Sequence, residues 1–153
     1  MGRLSKVNPL NLAYIAGFLD GDGSIMLQYH RRESGKEKFR VKTVICFYQD
    51  DRYSKEIKWI KSVLGCGYVY IRSDHICELR IEGYKRVYEV LSSLKPYLRF
   101  KNKQAALMLK VIPELQQKTS ERSIVDWIRQ MQKLNYFSSQ RKTLVDVPVT
   151  TDP

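Results

Sequence analysis

Ala13, Gly17 and Gly21 recur at every fourth residue of the run that leads to Asp22 and Gly23. On an α-helix such positions lie one above another, so the three make a stripe with almost no side-chain bulk. Helix separation is set by the side chains at the contact, and a stripe of this kind admits the backbone of a second helix at close range. Asp22 stands at the foot of the stripe. If the partner is the same helix of a second copy, a two-fold axis brings two Asp22 carboxylates together, and paired carboxylates can hold a divalent cation. The plain alternative is that Gly21-Asp22-Gly23 is a turn that ends a helix. The stripe with its acid predicts a dimer interface at Ala13, Gly17, Asp20 and Gly21. Asp20 cannot aim at the same point as Asp22 and is expected to pack or cap.

The charge balance narrows the partner. Of 153 residues, 27 are Lys or Arg and 16 are Asp or Glu, a net +11. Such an excess favours a polyanion, against the plain alternative of a merely basic soluble protein. No run approaches the ~18 apolar residues of a membrane span, and no secretory signal opens the chain, so no membrane partner is expected. A hydrophobic content of 43% suits one domain with a full core, expected over residues 8–137, with a basic loop and tail over 138–153. Cys46, Cys66 and Cys77 lack metal-ligand spacing and are odd in number, which fits reduced thiols in an intracellular protein.

Hydrophobic periodicity gives the order of elements. Asn8-Pro9 opens a helix that runs to about Gly21. From Ser24 the period becomes two, with Ile25, Leu27 and Tyr29 alternating against Met26, Gln28, His30 and Arg32. After a turn at 33–36, a second strand carries Val41, Thr43, Ile45 and Phe47 on one side and Arg40, Lys42, Val44, Cys46 and Tyr48 on the other. Gln49-Asp50-Asp51 is expected to break it, and the two acids to complement the start of a helix over 53–64 with a seam of Ile57, Ile60, Lys61 and Leu64. A hairpin follows over 68–71 and 76–81, turning at Ser73-Asp74. Its inner side is expected to carry Val69 and Ile71 or their neighbours, then Cys77, Leu79 and Ile81. Helices are predicted from Gly83 to Leu94, from Lys101 to Gln117 with a bend at Pro113, and after Ser120. The predicted fold is α+β: αββαββα with a four-stranded antiparallel sheet and appended C-terminal helices.

An antiparallel sheet can bury one face and show the other. The shown face is expected to carry Gln28, His30, Arg32, Arg40, Lys42, Tyr70, Arg72, Glu78 and Arg80, with Ser24 at its edge. These are side chains that reach base edges in the major groove: Arg and Lys to guanine, Gln to adenine, Glu to cytosine. A solvated polar face is the alternative, but the bias to Arg, Lys, Gln and Tyr favours double-stranded DNA.

Phosphodiester hydrolysis needs a nucleophilic water, charge stabilisation and help for the leaving oxygen, which divalent ions held by carboxylates supply. Mg²⁺ takes oxygen ligands and keeps several waters, so Asp22 from each copy with the Gly21 carbonyl would suffice.

The run Ile-Ala-Gly-Phe-Leu-Asp-Gly-Asp-Gly over 15–23 resembles the LAGLIDADG motif of homing endonucleases, in the homodimeric branch with one motif per chain. The resemblance implies Asp22, Gln49 and Lys101 as catalytic residues, Gln49 positioning solvent and Lys101 standing near the scissile phosphate. It implies a basic residue after Gln49, for which Arg52 and Tyr53 both stand open, and a phosphate-gripping loop at 138–143 with Arg141 and Lys142. It further implies Mg²⁺ as cofactor, with Mn²⁺ substituting and Ca²⁺ binding without supporting cleavage. The function implied is site-specific double-strand cleavage of a long, pseudo-palindromic target that promotes intron mobility. Beginning at its own Met1, the chain is expected to be free-standing and intron-encoded. The alternative function on the same fold is an intron RNA maturase, with intron RNA as a partner; a transcription regulator would be expected to carry a further DNA-binding domain.

Overall fold

The computed structural model describes residues 3–35 and 39–136. A 3-10 turn, Arg3–Lys6, leads into α1 (Pro9–Asp22). Asn8 caps α1 by accepting the Leu10 N–H at 2.9 Å, and Pro9 sits at the first helical position, where its missing N–H is no loss. Helix α1 passes straight into β1 (Gly23–Arg31). A Cβ on Gly23 would lie 2.5 Å from Leu19 Cδ1 and 2.9 Å from the Cys46 carbonyl oxygen, so the junction has room only for glycine.

There follow β2 (Phe39–Asp50), a 3-10 turn, α2 (Ser54–Leu64), β3 (Tyr68–Ile71), β4 (Ile76–Glu82), α3 (Tyr84–Leu94), α4 (Asn102–Leu115) and α5 (Glu121–Asn135). The strands form one antiparallel sheet in the order β1-β2-β4-β3, as the two-hairpin pattern predicts. One face packs Ile25, Ile45, Phe47, Leu79 and Ile81 against Leu12, Ile15, Ala16 and Leu19 of α1 and the apolar faces of the other helices. Helix α5 is tied to the edge strand β1: Asn135 donates to the Ile25 carbonyl at 2.8 Å and Tyr29 to Glu121 at 3.3 Å. Among the described residues no helix is long and apolar enough to cross a membrane.

The structure corrects several expectations. Strand β2 does not break at Gln49; it pairs through Asp50, with Gln49 opposite Cys77. Asp51 is expected in the N-cap region of the next helix; instead Asp50 caps the 3-10 turn Asp51–Tyr53, accepting the Arg52 N–H at 3.0 Å, and α2 has no side-chain cap. Lys61 is exposed, and the α2 seam is Ile57, Ile60 and Leu64, flanked by partly buried Trp59 and Val63. Ile71 is exposed rather than inward: it ends the short edge strand β3, whose Val69 is the residue that packs against the core. Arg32 falls one residue beyond β1, ahead of the bend at 33–35.

At the β3–β4 turn, His75 holds a left-handed backbone conformation with φ 60° and its Nδ1 lies 2.9 Å from Asp51. Asp51 raises the His75 pKa above its ordinary value by hydrogen bond and by charge. The protonated form is therefore favoured by folding. Its contribution is fully present below the unfolded value of 6.5 and lost as pH rises through the raised folded value. His75→Asn tolerates the left-handed backbone but carries no charge. Melting curves should show the wild-type advantage over this variant largest below about pH 6.5 and fading at higher pH.

Candidate active site and nucleic-acid interface

Three polar side chains from distant parts of the chain meet at the C-terminal end of α1. Asp22 is exposed, and its Oδ2 accepts one long hydrogen bond, from Gln49 Nε2 at 3.5 Å. The Gln49 amide is itself oriented, because its oxygen accepts the Asp50 N–H at 2.9 Å. Lys101 Nζ donates to the Asp20 carbonyl oxygen at 2.5 Å. Burial lowers the Lys101 pKa, while the charges of Asp20 and Asp22 act to raise it. The structure thus brings together Asp22, Gln49 and Lys101.

Asp20 does the capping expected of it, though on a loop. Its two carboxylate oxygens accept the N–H groups of Arg99 and Lys101 at 2.8 and 2.9 Å, fixing the segment before α4 to the last turn of α1. Hydrogen bonds to a charged acceptor contribute about 1.5–3 kcal/mol each in favourable settings, and these are partly exposed. Asp20→Ala is therefore expected to cost about 1–3 kcal/mol in urea unfolding and to lower activity by releasing Lys101. A variant with unchanged stability would mean the clamp is not formed.

Among the described residues the remaining surface of α1 is largely open, apart from an edge-on contact of Tyr14 with the Trp59 ring at 5.8 Å. Leu10 is 77% and Tyr14 65% exposed, and Gly17 and Gly21 are exposed beside them. A Cβ at Gly17 or Gly21 would meet nothing within 4 Å. Ala13 lies partly buried on the same helix. Arg52 is spent locally: its guanidinium grips Asp50 at 2.8 Å and lies 5.8 Å from the Tyr53 ring. Tyr53 and Gln49 line a cavity of about 580 Å³ between α1 and α2 with Leu10, Tyr14 and Trp59.

The second face of the sheet is open to solvent at its rim. His30, Arg32, Arg40 and Arg72 are exposed, Tyr70 nearly as much, and Gln28, Lys42 and Ser24 are half-buried. The Ser24 hydroxyl pairs with that of Tyr48 at 3.0 Å. Glu78 does not stand out to meet a base. It is 4% exposed, accepts from Cys46 Sγ at 3.2 Å, and has the Arg80 and Arg72 guanidinium groups at 3.6 and 4.0 Å. Arg80 also lies flat, bonded to Glu82 and Gln28, with its side chain only 18% exposed. Alternation along a strand shows which face a residue takes but not whether a long side chain stands up or lies down over its neighbours. Here Val44 and Cys46 are fully buried on the outer face, so longer side chains cover them. Charge signs could have hinted at this, since Glu78, Arg80 and Glu82 alternate on one face of one strand. Arg141 and Lys142 lie outside the described residues.

Among the described residues no three His, Cys, Asp or Glu side chains group closely enough to hold a metal ion unaided. The oxygen donors at the foot of α1 are the Asp22 carboxylate and the Gly21 carbonyl, hard ligands of the type Mg²⁺ takes. The residues present fit such an ion if a second copy adds its own.

Comparison with known proteins gives this arrangement its relatives. The chain is 35% identical over 106 residues to DNA endonuclease I-CvuI of Chlorella vulgaris, covering 69% of this chain and 66% of that protein. It is 30% identical over 152 residues to DNA endonuclease I-CreI of Chlamydomonas reinhardtii, covering 97% and 93%. Among solved structures, I-CvuI in complex with the I-CreI target in 2 mM Mg, with the DNA not cleaved, superposes with a TM-score of 0.77 at 31% identity over 82% of each chain. I-CvuI with its own target in 2 mM Ca gives 0.69 at 28% identity over 94% of this chain and 87% of that one. The family model for LAGLIDADG endonuclease matches residues 15–112, from the glycine stripe through the whole sheet and into α4. The chain belongs to the LAGLIDADG endonuclease family.

Proposed function

We infer that this chain is a site-specific homing endonuclease that, as a homodimer, makes metal-dependent double-strand breaks in a long, pseudo-palindromic DNA target and so promotes intron mobility. One observation carries the reading: Asp22, Gln49 and Lys101 meet at the free end of a helix whose outer side is apolar and glycine-lined. A helix apolar all round belongs in an interior. Here a second α1 supplies the missing wall and the second carboxylate. One motif per chain then means one half-site per chain, and a two-fold axis predicts a near-palindrome.

Asp22, with the Gly21 carbonyl, would hold a divalent cation, which would supply water activation and offset of charge on the phosphate. Mg²⁺ is the working ion, with Mn²⁺ able to replace it and Ca²⁺ binding without supporting cleavage. Gln49 orients solvent beside Asp22 through an amide already fixed by the Asp50 N–H. Lys101 presents a cation from a partly buried position, where its field is less screened, and stabilises negative charge at the scissile group. The rim of the sheet, with Gln28, His30, Arg32, Arg40, Lys42, Tyr70 and Arg72, reads the half-site, and Arg141 with Lys142 grips backbone phosphate. Such an enzyme works inside the cell, wherever its target DNA is. An RNA maturase is not favoured, since the relatives above are DNA endonucleases.

Plasmid-library cleavage in Mg²⁺ tests the reading. Discrete double-strand cuts at one long sequence are expected. No cut in any library member, together with tight binding to structured RNA, would move the assignment to the maturase.

A further inference from the structure

Arg80 looks at first like a base reader, but its donors are occupied. Its Nε donates to Glu82 at 2.5 Å, its Nη1 faces Glu78 and Cys46 Sγ at 3.6 and 3.8 Å, and its Nη2 donates to Gln28 Oε1 at 2.9 Å. A guanidinium fork committed to this extent cannot also grip guanine bidentately. The two carboxylates beside it hold it in place: Glu82 sits below its ordinary pKa because of Arg80, and Glu78 is buried against it.

The consequence falls on Gln28. A guanidinium has no acceptor, so the Gln28 atom against Arg80 must be the amide oxygen. The amide nitrogen remains, with only a weak 3.9 Å contact to Met26 Sδ. Glutamine reads adenine by donating to N7 and accepting from the N6 amino group at once. With one lone pair of its oxygen taken and its amide turned toward Arg80, Gln28 offers its N–H groups more readily than its oxygen, whereas adenine needs both at once. A base with a keto oxygen in the major groove, guanine through O6 and N7 or thymine through O4, suits a donor.

We propose that Arg80 is a positioning residue that sets specificity indirectly: it fixes the Gln28 amide as a donor, so that each half-site position facing Gln28 is read as a keto base rather than as adenine. This rests on the DNA-binding reading above and deepens it.

The test is selection of bound sequences from randomised double-stranded DNA, with Ca²⁺ present, for the wild type, Gln28→Ala, Arg80→Met and Arg80→Lys. Gln28→Ala identifies the position that Gln28 reads. Wild type should prefer guanine or thymine there, and Arg80→Met should shift the preference toward adenine by about tenfold at that same position, leaving other positions unchanged. Arg80→Lys keeps a cation beside Glu78 and Glu82, and so guards against a Met variant that fails to fold. Its ammonium lacks the planar fork and should shift the same position in the same direction. A change at a different position, a wild type that already prefers adenine there, or the same preference in wild type and both Arg80 variants overturns the proposal. A wild type that selects no sequence overturns the endonuclease reading itself, and this inference with it.

Discussion

Asp22→Asn should abolish cleavage while leaving fold and DNA binding in place. The substitution keeps the side chain's size and removes its charge, and an amide is a poor replacement for the carboxylate that a hard divalent cation needs. Folding should not notice, because Asp22 is exposed and, among the described residues, accepts one 3.5 Å hydrogen bond, from Gln49. Removing a single group that stabilises transition-state charge typically lowers kcat by about 10²–10³-fold, and in a homodimer both sites lose their ligand together. A loss of at least that size is expected in plasmid cleavage with Mg²⁺, with unchanged thermal melting. Affinity for the target should hold or rise, since a negative charge beside the phosphates is gone. Residual cutting within tenfold of wild type would place the essential ligand elsewhere. Parallel loss of binding would mean that Asp22 supports the interface rather than the chemistry.

The path from residues to site was open where the physics is local. Pro9 and Asn8 mark the start of α1, the switch from helical to alternating period marks β1, and Gly17 and Gly21 of the small stripe mark a side of α1 that the described residues leave open. The two hairpins separated by a helix predict an antiparallel sheet, and the sheet has that form. What stayed hidden depends on side-chain direction across strands. Alternation puts Glu78 and Arg80 on the outer face, but only three dimensions show that Arg80 lies across β2 to reach Gln28 on β1. Nothing local marks Val44 and Cys46 as fully buried on that same face. The role of Asp20 was legible in kind, since one helix end cannot aim two acids at one point. Its partners were not, because the N–H groups of Arg99 and Lys101 come from about eighty residues away in sequence. Lys101 itself entered through family resemblance, and the structure brings it to Asp20 and Asp22.

Gly17→Leu should separate folding from assembly. In a single chain a Cβ at Gly17 meets nothing within 4 Å, so the extra bulk projects into open space. Replacing a glycine inside a helix by a better helix former gains about 0.8–1 kcal/mol, and the isolated chain should melt no lower than wild type. Assembly is another matter. If two α1 helices meet along the stripe, each copy drives a leucine into a contact sized for hydrogen. Overpacking costs about 1–3 kcal/mol per site, and the two-fold axis doubles it, which weakens association by roughly 30-fold to 10⁴-fold. Sedimentation analysis should then find a monomer at concentrations where wild type is dimeric, and double-strand cleavage should fall with it. Gly17→Ala makes a graded control, since one methyl group tests how close the helices come. A Gly17→Leu protein that stays dimeric and cuts both strands would move the seam off the stripe. If the leucine chain instead failed to fold, Gly17 would be packed against its own chain, contrary to the open space around it.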